Sequence, residues 1–159
     1  MKHIMKGGRM TVEKLKRDDV ILALHQAQEQ NKSNYLSEEN IKTIAEQFQL
    51  SLADISGILT FYSLFSPDKR GKHVIRVCDS LPCRVSGSVD IYLYLQEKLG
   101  IKNKETTKDN LFTLEVVNCL GACDKAPNVM INDEIYSEMT PEKIDSVLDA
   151  LKKGVVNAE

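Results

Sequence analysis

Tryptophan is absent from the 159 residues, proline occurs only four times, and no run longer than thirteen residues is free of charge. That run, residues 55–67, contains serines and a glycine, so it is too short and too polar to span a bilayer, and no direct membrane insertion is expected. Neither charge dominates. With 21 basic and 23 acidic residues the net charge is −2, which provides no field to recruit nucleic acid. The sequence has no G-x-G-x-x-G, no Walker-type lysine loop and no nucleophile–base arrangement, so no nucleotide site and no catalytic residue is expected on this chain. Internal repeats and low-complexity tracts are missing as well. The composition, 42% hydrophobic and 28% charged, is that of a soluble globular protein. The length allows one ordinary domain or two small ones, burying roughly two thirds of the unfolded surface.

Cysteine is missing from 155 positions and present at four, Cys78, Cys83, Cys119 and Cys123. The first seventeen residues hold six Lys/Arg against Glu13 alone, and no apolar core follows them. A secretory signal is therefore not expected. Residues 1–16 read as a flexible basic N-terminus and the location as cytoplasmic. In a reducing compartment, two pairs of nearby cysteines suggest metal binding or thiol chemistry rather than structural disulfides.

Residues 17–66 read as a helical domain. Val20, Leu24 and Ala27 form one stripe, with Asp18 and Asp19 in its first turn. Ser37 caps a second helix with Ile41, Ile44, Ala45 and Phe48 at helical spacing, and Ser51 with Asp54 opens a third through Ile55, Ile58 and Leu59. Phe61, Tyr62 and Phe65 are expected to pack between two domains, with a partner-facing patch as the alternative. Residues 66–72 form a turn-rich, charged joint. Beyond it, residues 71–155 read as strand, helix, strand, strand, strand, helix. The first strand, 73–77, delivers Cys78; Ser86 or Ser88 caps the helix that ends at Gly100; a second strand, 111–117, delivers Cys119. A hairpin turns at Asn132-Asp133-Glu134, and Thr140 with Pro141 opens the last helix. The fold class is α+β, an N-terminal helical bundle followed by a thioredoxin-like α/β domain.

Both cysteine pairs, C-x4-C and C-x3-C, follow predicted strands and are expected in loops at one end of a parallel pair, where four sulfurs converge. Three occupants compete on spacing: a [2Fe–2S] cluster with two thiolates per iron, a four-cysteine zinc site, and a dithiol couple that lacks the usual C-x-x-C. Other candidates are weaker. His3, His25 and His73 are dispersed and read as surface or edge residues, and Asp133 with Glu134 sits in a turn. Arg84 is a solvated loop arginine or a donor near the cysteines. Pro82 and Pro127 shape their loops.

The string Gly71-Lys72-His73-Val74-Ile75-Arg76-Val77-Cys78-Asp79-Ser80-Leu81-Pro82-Cys83 resembles the thioredoxin-like [2Fe–2S] subunit of NADH dehydrogenases, the small partner of the flavin subunit in complex I. Cys119-Leu120-Gly121-Ala122-Cys123, Ala126-Pro127 and Thr60-Phe61-Tyr62-Ser63-Leu64-Phe65 resemble the same family. The resemblance implies an electron-transfer subunit whose cluster ligands are Cys78, Cys83, Cys119 and Cys123. It places FMN and NAD(P) on a partner flavin subunit. The family also serves NAD-linked and electron-bifurcating hydrogenases and NAD-dependent formate dehydrogenases. A non-redox structural zinc scaffold is the alternative. Asp124 disfavours an added electron nearby and Lys125 opposes that effect.

Overall fold

A computed structural model describes residues 19–31 and 33–153. The basic terminus 1–16, together with His3 and Asp18, lies outside them. Three helices come first: α1 (Val20–Gln30), α2 (Glu38–Phe48) and α3 (Leu52–Phe61). Reciprocal side-chain and backbone bonds between Ser37 and Asn40, and between Ser51 and Asp54, start α2 and α3. Asp19, expected in the first turn of α1, is instead its N-cap and makes no capping bond, because it has helical rather than extended dihedrals. Val20, Leu24, Leu36, Ile44, Ala45, Phe48, Ile55 and Phe65 form one hydrophobic core. Gln28 is buried beside it, its amide donating to the Leu64 carbonyl at 3.0 Å and accepting the Ser66 N–H at 2.9 Å.

The aromatic expectation divides. Phe65 turns back under α1 into the helical core, with His25 4.6 Å away between ring centres. Phe61 is 80% exposed and Tyr62 is also exposed, since α3 ends there and the chain leaves in extended form. Neither is shared core between two domains.

A second core covers one face of a four-stranded sheet. Its elements are β1 (His73–Cys78), α4 (Leu81–Val85), α5 (Ser88–Leu99), β2 (Phe112–Val117), β3 (Val129–Ile131), β4 (Glu134–Tyr136) and α6 (Pro141–Lys152). The strand order is β2-β1-β3-β4, with β1 and β2 parallel and the other pairs antiparallel. That is the expected topology, a crossover followed by a hairpin. Ile75, Val77, Phe112, Leu114, Val129 and Ile131 meet Ile91 and Leu95 of α5 and Ile144, Leu148 and Leu151 of α6. Two local details differ from expectation. Gly87, at φ +99°, is the N-cap of α5 in place of either serine; Ser86 instead ends α4, and Ser88 is buried inside α5. The hairpin turn is the two residues Asn132 and Asp133, because Glu134 already pairs with Ile131.

The opposite sheet face carries the alternate residues, and it is not solvated. Thr113 and Glu115 are buried there. Arg76 faces Glu115 across the parallel ladder and donates to it at 3.2 Å. Arg70, from the joint, brings its Nε to 2.7 Å from the other carboxylate oxygen, an ion pair without the alignment of a hydrogen bond. The Gly71 N–H donates to Thr113 Oγ1 at 2.6 Å. A β-carbon on Gly71 would lie 2.9 Å from the Phe112 backbone, so the joint can approach β2 this closely only as glycine. The charged joint is therefore seated on the sheet.

Candidate metal centre

Parallel strands joined by a crossover release their following loops at the same, carboxyl, end of the sheet. Cys78 is the last residue of β1, and Cys119 follows β2 by two positions, so the pairing of Cys78 with Val117 brings both cysteine loops together. Neither described histidine takes part. His73 begins β1 at the far end, buried and ring-to-ring with Phe112, rather than standing at a surface or edge. His25 packs on Phe65. Asp133 and Glu134 lie at the exposed hairpin, where Glu134 accepts the Tyr136 hydroxyl at 2.8 Å.

Cys83 lies in a helix, not a loop. The one-turn α4 begins after extended Ser80, with Pro82 in its first turn, where a missing N–H costs nothing. At five residues it is too short for apolar periodicity to announce it. Cys83 points inward and is buried, while Leu81 and Val85 on either side are 75% and 81% exposed. Arg84 is neither free nor aimed at sulfur; its Nη1 donates to both Asp79 carboxylate oxygens, at 2.9 and 3.1 Å. Cys119 and Cys123 are exposed, with their sulfurs 3.3 Å apart. Cys123 opens a 3-10 turn through Lys125 rather than lying in irregular loop. Asp124 and Lys125 in that turn are both exposed.

Electrostatics tie the four sulfurs into one set. Burial pushes the Cys78 thiol up, but backbone N–H bonds from Ser80 and Leu120, with side-chain bonds from the Cys83 thiol and the Ser80 hydroxyl, outweigh it and hold the thiol below its ordinary value. Burial and the neighbouring Cys78 push Cys83 up, opposed by a backbone bond from Asn128. Cys123 is raised by its bond to Cys119, then by burial, and it also feels the charge of Cys119, Cys83 and Cys78. Among the described residues, no group of three or more His, Cys, Asp or Glu side chains is placed as a bound metal would need. Two thiol pairs with backbone N–H groups aimed at sulfur are a donor set that suits a two-iron group, with two thiolates for each iron.

Gly121 gives the second loop its shape. At φ +89° its N–H donates to Cys119 Sγ at 3.4 Å, and a β-carbon there would touch nothing within 4 Å. The constraint is dihedral rather than steric. Gly121→Ala is therefore expected to lower stability by about 1–2 kcal/mol, the cost of a left-handed residue. The measurement is the urea midpoint at unchanged slope. An unmoved midpoint would show that the loop relaxes freely.

A family model described as thioredoxin-like [2Fe-2S] ferredoxin matches residues 8–152. The chain is 44% identical over 123 residues to an NADH-quinone oxidoreductase subunit of Buchnera aphidicola subsp. Acyrthosiphon pisum (strain APS), covering 77% of this chain and 76% of that protein. The corresponding protein of Rickettsia bellii (strain RML369-C) is 40% identical over 137 residues, 86% of this chain and 81% of its own. That of Escherichia coli (strain K12) is 39% identical over 123 residues, 77% and 74%. Among solved structures, a chain of an NAD+-reducing [NiFe]-hydrogenase in the air-oxidized state superposes with a TM-score of 0.75 at 19% identity. It covers 92% of this chain, which spans about a quarter (25%) of the hydrogenase chain, so the likeness concerns the fold alone.

Proposed function

Because the chain belongs to the thioredoxin-like [2Fe-2S] ferredoxin family, we propose that Cys78, Cys83, Cys119 and Cys123 ligate one [2Fe–2S] cluster. We further propose that the chain serves as the electron-transfer subunit beside a flavin-bearing subunit that oxidises NAD(P)H. The observation that carries this reading is the meeting of two thiol pairs at the carboxyl ends of neighbouring parallel strands. When bound, the cluster supplies a one-electron redox centre. The chain's own residues do the rest. Buried Cys78 and Cys83 anchor the inner side, while exposed Cys119 and Cys123 lie at the surface, where a partner can approach. N–H groups of Ser80, Leu120 and Gly121 offset thiolate charge. Leu81 and Val85 border the site with exposed apolar surface suited to a protein partner.

A hydride delivers two electrons together and the cluster takes one, so the reading assigns FMN and NAD(P) to the partner. The parent complex is of the NADH-quinone oxidoreductase type, on the 39–44% identity of the relatives named for that enzyme. No helix among the described residues is long and apolar enough to cross a membrane, and the proposal includes a peripheral, cytoplasmic location. Residues 17–66 act as a helical docking domain and 71–155 as the cluster domain.

The test is composition with reactivity. Chain purified anaerobically is expected to hold two irons and two acid-labile sulfides, to be reduced by dithionite, and to ignore NADH and NADPH until the flavin subunit is added. One zinc per chain without labile sulfide would instead identify a structural scaffold. Bleaching by NADH in the absence of flavin would overturn the division of labour.

A further inference from the structure

Asn128 lies just before β3, outside both cysteine loops, and is 1% exposed. Its backbone carbonyl accepts the Cys78 N–H at 3.2 Å. Its side-chain Nδ2 donates to the Ala122 carbonyl at 2.6 Å and to Cys83 Sγ at 3.6 Å. One residue thus touches the end of β1, the α4 cysteine and the loop between Cys119 and Cys123. The amide's orientation follows from chemistry, since at 2.6 Å only a donor can face a carbonyl oxygen, and flipping the group would set two acceptors against each other. Both N–H bonds are then directed, while Oδ1 has no partner among the described residues. A buried, half-satisfied amide is a poor packing choice, because leucine fills nearly the same volume without an orphaned acceptor.

We propose that Asn128 is a positioning residue that sets the reduction potential of the site, its side-chain N–H hydrogen-bonding to Cys83 sulfur and favouring the more negative, reduced form. This rests on the four-cysteine reading above. Cys83 is fully buried, so water cannot readily supply a substitute donor when the amide is removed. The redox change concerned is a single electron passed from an external one-electron reductant, with no bond made or broken in the chain.

The test uses the full-length chain with its cluster, comparing wild type with Asn128→Leu. Iron and sulfide content is measured first, then the midpoint potential by dithionite titration followed by EPR. Pulsed EPR of protein labelled with [15N-amide]asparagine completes the set. The leucine variant should load fully, and its reduction equilibrium constant should fall about fivefold, or about 40 mV at 59 mV per tenfold for one electron. It should also lose one 15N coupling that the wild type shows. If Asn128→Leu does not retain its cluster, Asn128→Ser carries the same test, because its short side chain cannot reach Cys83. A fully loaded variant with the wild-type potential, or a wild type with no 15N coupling from Asn128, overturns the proposal. A wild-type chain without iron and sulfide overturns the ligand reading instead, so the two failures are distinguishable.

Discussion

Cys83→Ser is expected to strip the chain of its cluster, while Cys123→Ser leaves a depleted but spectroscopically altered one. The difference arises from burial. Cys83 has no exposed surface, and its surroundings are the Cys78 sulfur and the Asn128 amide. A serine oxygen there is shorter in reach than sulfur and much harder to ionise, and water cannot stand in for it. Cys78 shares that enclosure, although the N–H bonds that hold its thiol down favour a charged ligand. Cys119 and Cys123 stand in solvent, where serine or a hydroxide can complete a coordination position. The expected ranking of retained iron and labile sulfide is therefore lower for Cys78→Ser and Cys83→Ser than for Cys119→Ser and Cys123→Ser. Visible spectra unchanged in all four variants would remove the ligand assignment. A reversed ranking would show that burial does not govern retention.

The largest loss of stability is expected from Glu115→Ala. That change leaves Arg70 and Arg76 buried together with no buried counter-charge, only exposed Asp68 acting on Arg70, and breaking a buried pair on one side costs about 3–5 kcal/mol. Burial already pulls the Arg70 guanidinium below its ordinary value; Glu115 is the main opposing influence, and Arg76 adds to the depression. In urea the midpoint should move by roughly 1.5–2.5 M at a slope of about 2 kcal/mol per M. Replacing the whole group (Arg70→Met with Arg76→Met and Glu115→Leu) removes both the charges and their desolvation, and it should restore most of the loss. A Glu115→Ala midpoint within about 0.3 M of wild type, less than 1 kcal/mol at that slope, would mean that water enters beneath the joint and solvates the arginines.

Much of the molecule could be read from local chemistry. Ser37 and Ser51 announce their helices because an N-cap and its N3 partner lie three residues apart, a distance that the sequence displays directly. Thr140 with Pro141 does the same for α6. The β-branched run ending at Cys78 marks β1, and the two cysteine pairs single out the proposed ligands before any fold is known. In each case the signal and the structure it specifies lie within a few residues of each other.

Other features depend on residues that meet only after folding. Glu115 lies on a strand that alternates like any half-solvated one, and nothing near it in sequence says that Arg70, 45 positions earlier, will close over it. Phe61 and Phe65 look equally suited to a core, yet the end of α3 directs one outward and the other beneath α1. Asn128 follows Pro127 and belongs to neither cysteine pair. Its role depends on Cys83 and Ala122, which approach it only because β1 lies between β2 and β3 in the sheet. Which donors exist, and which segments carry them, is a matter of sequence alone. Which donors touch is settled by the sheet order, because hydrogen bonds and ion pairs act over a few ångströms of space, whatever the separation along the chain.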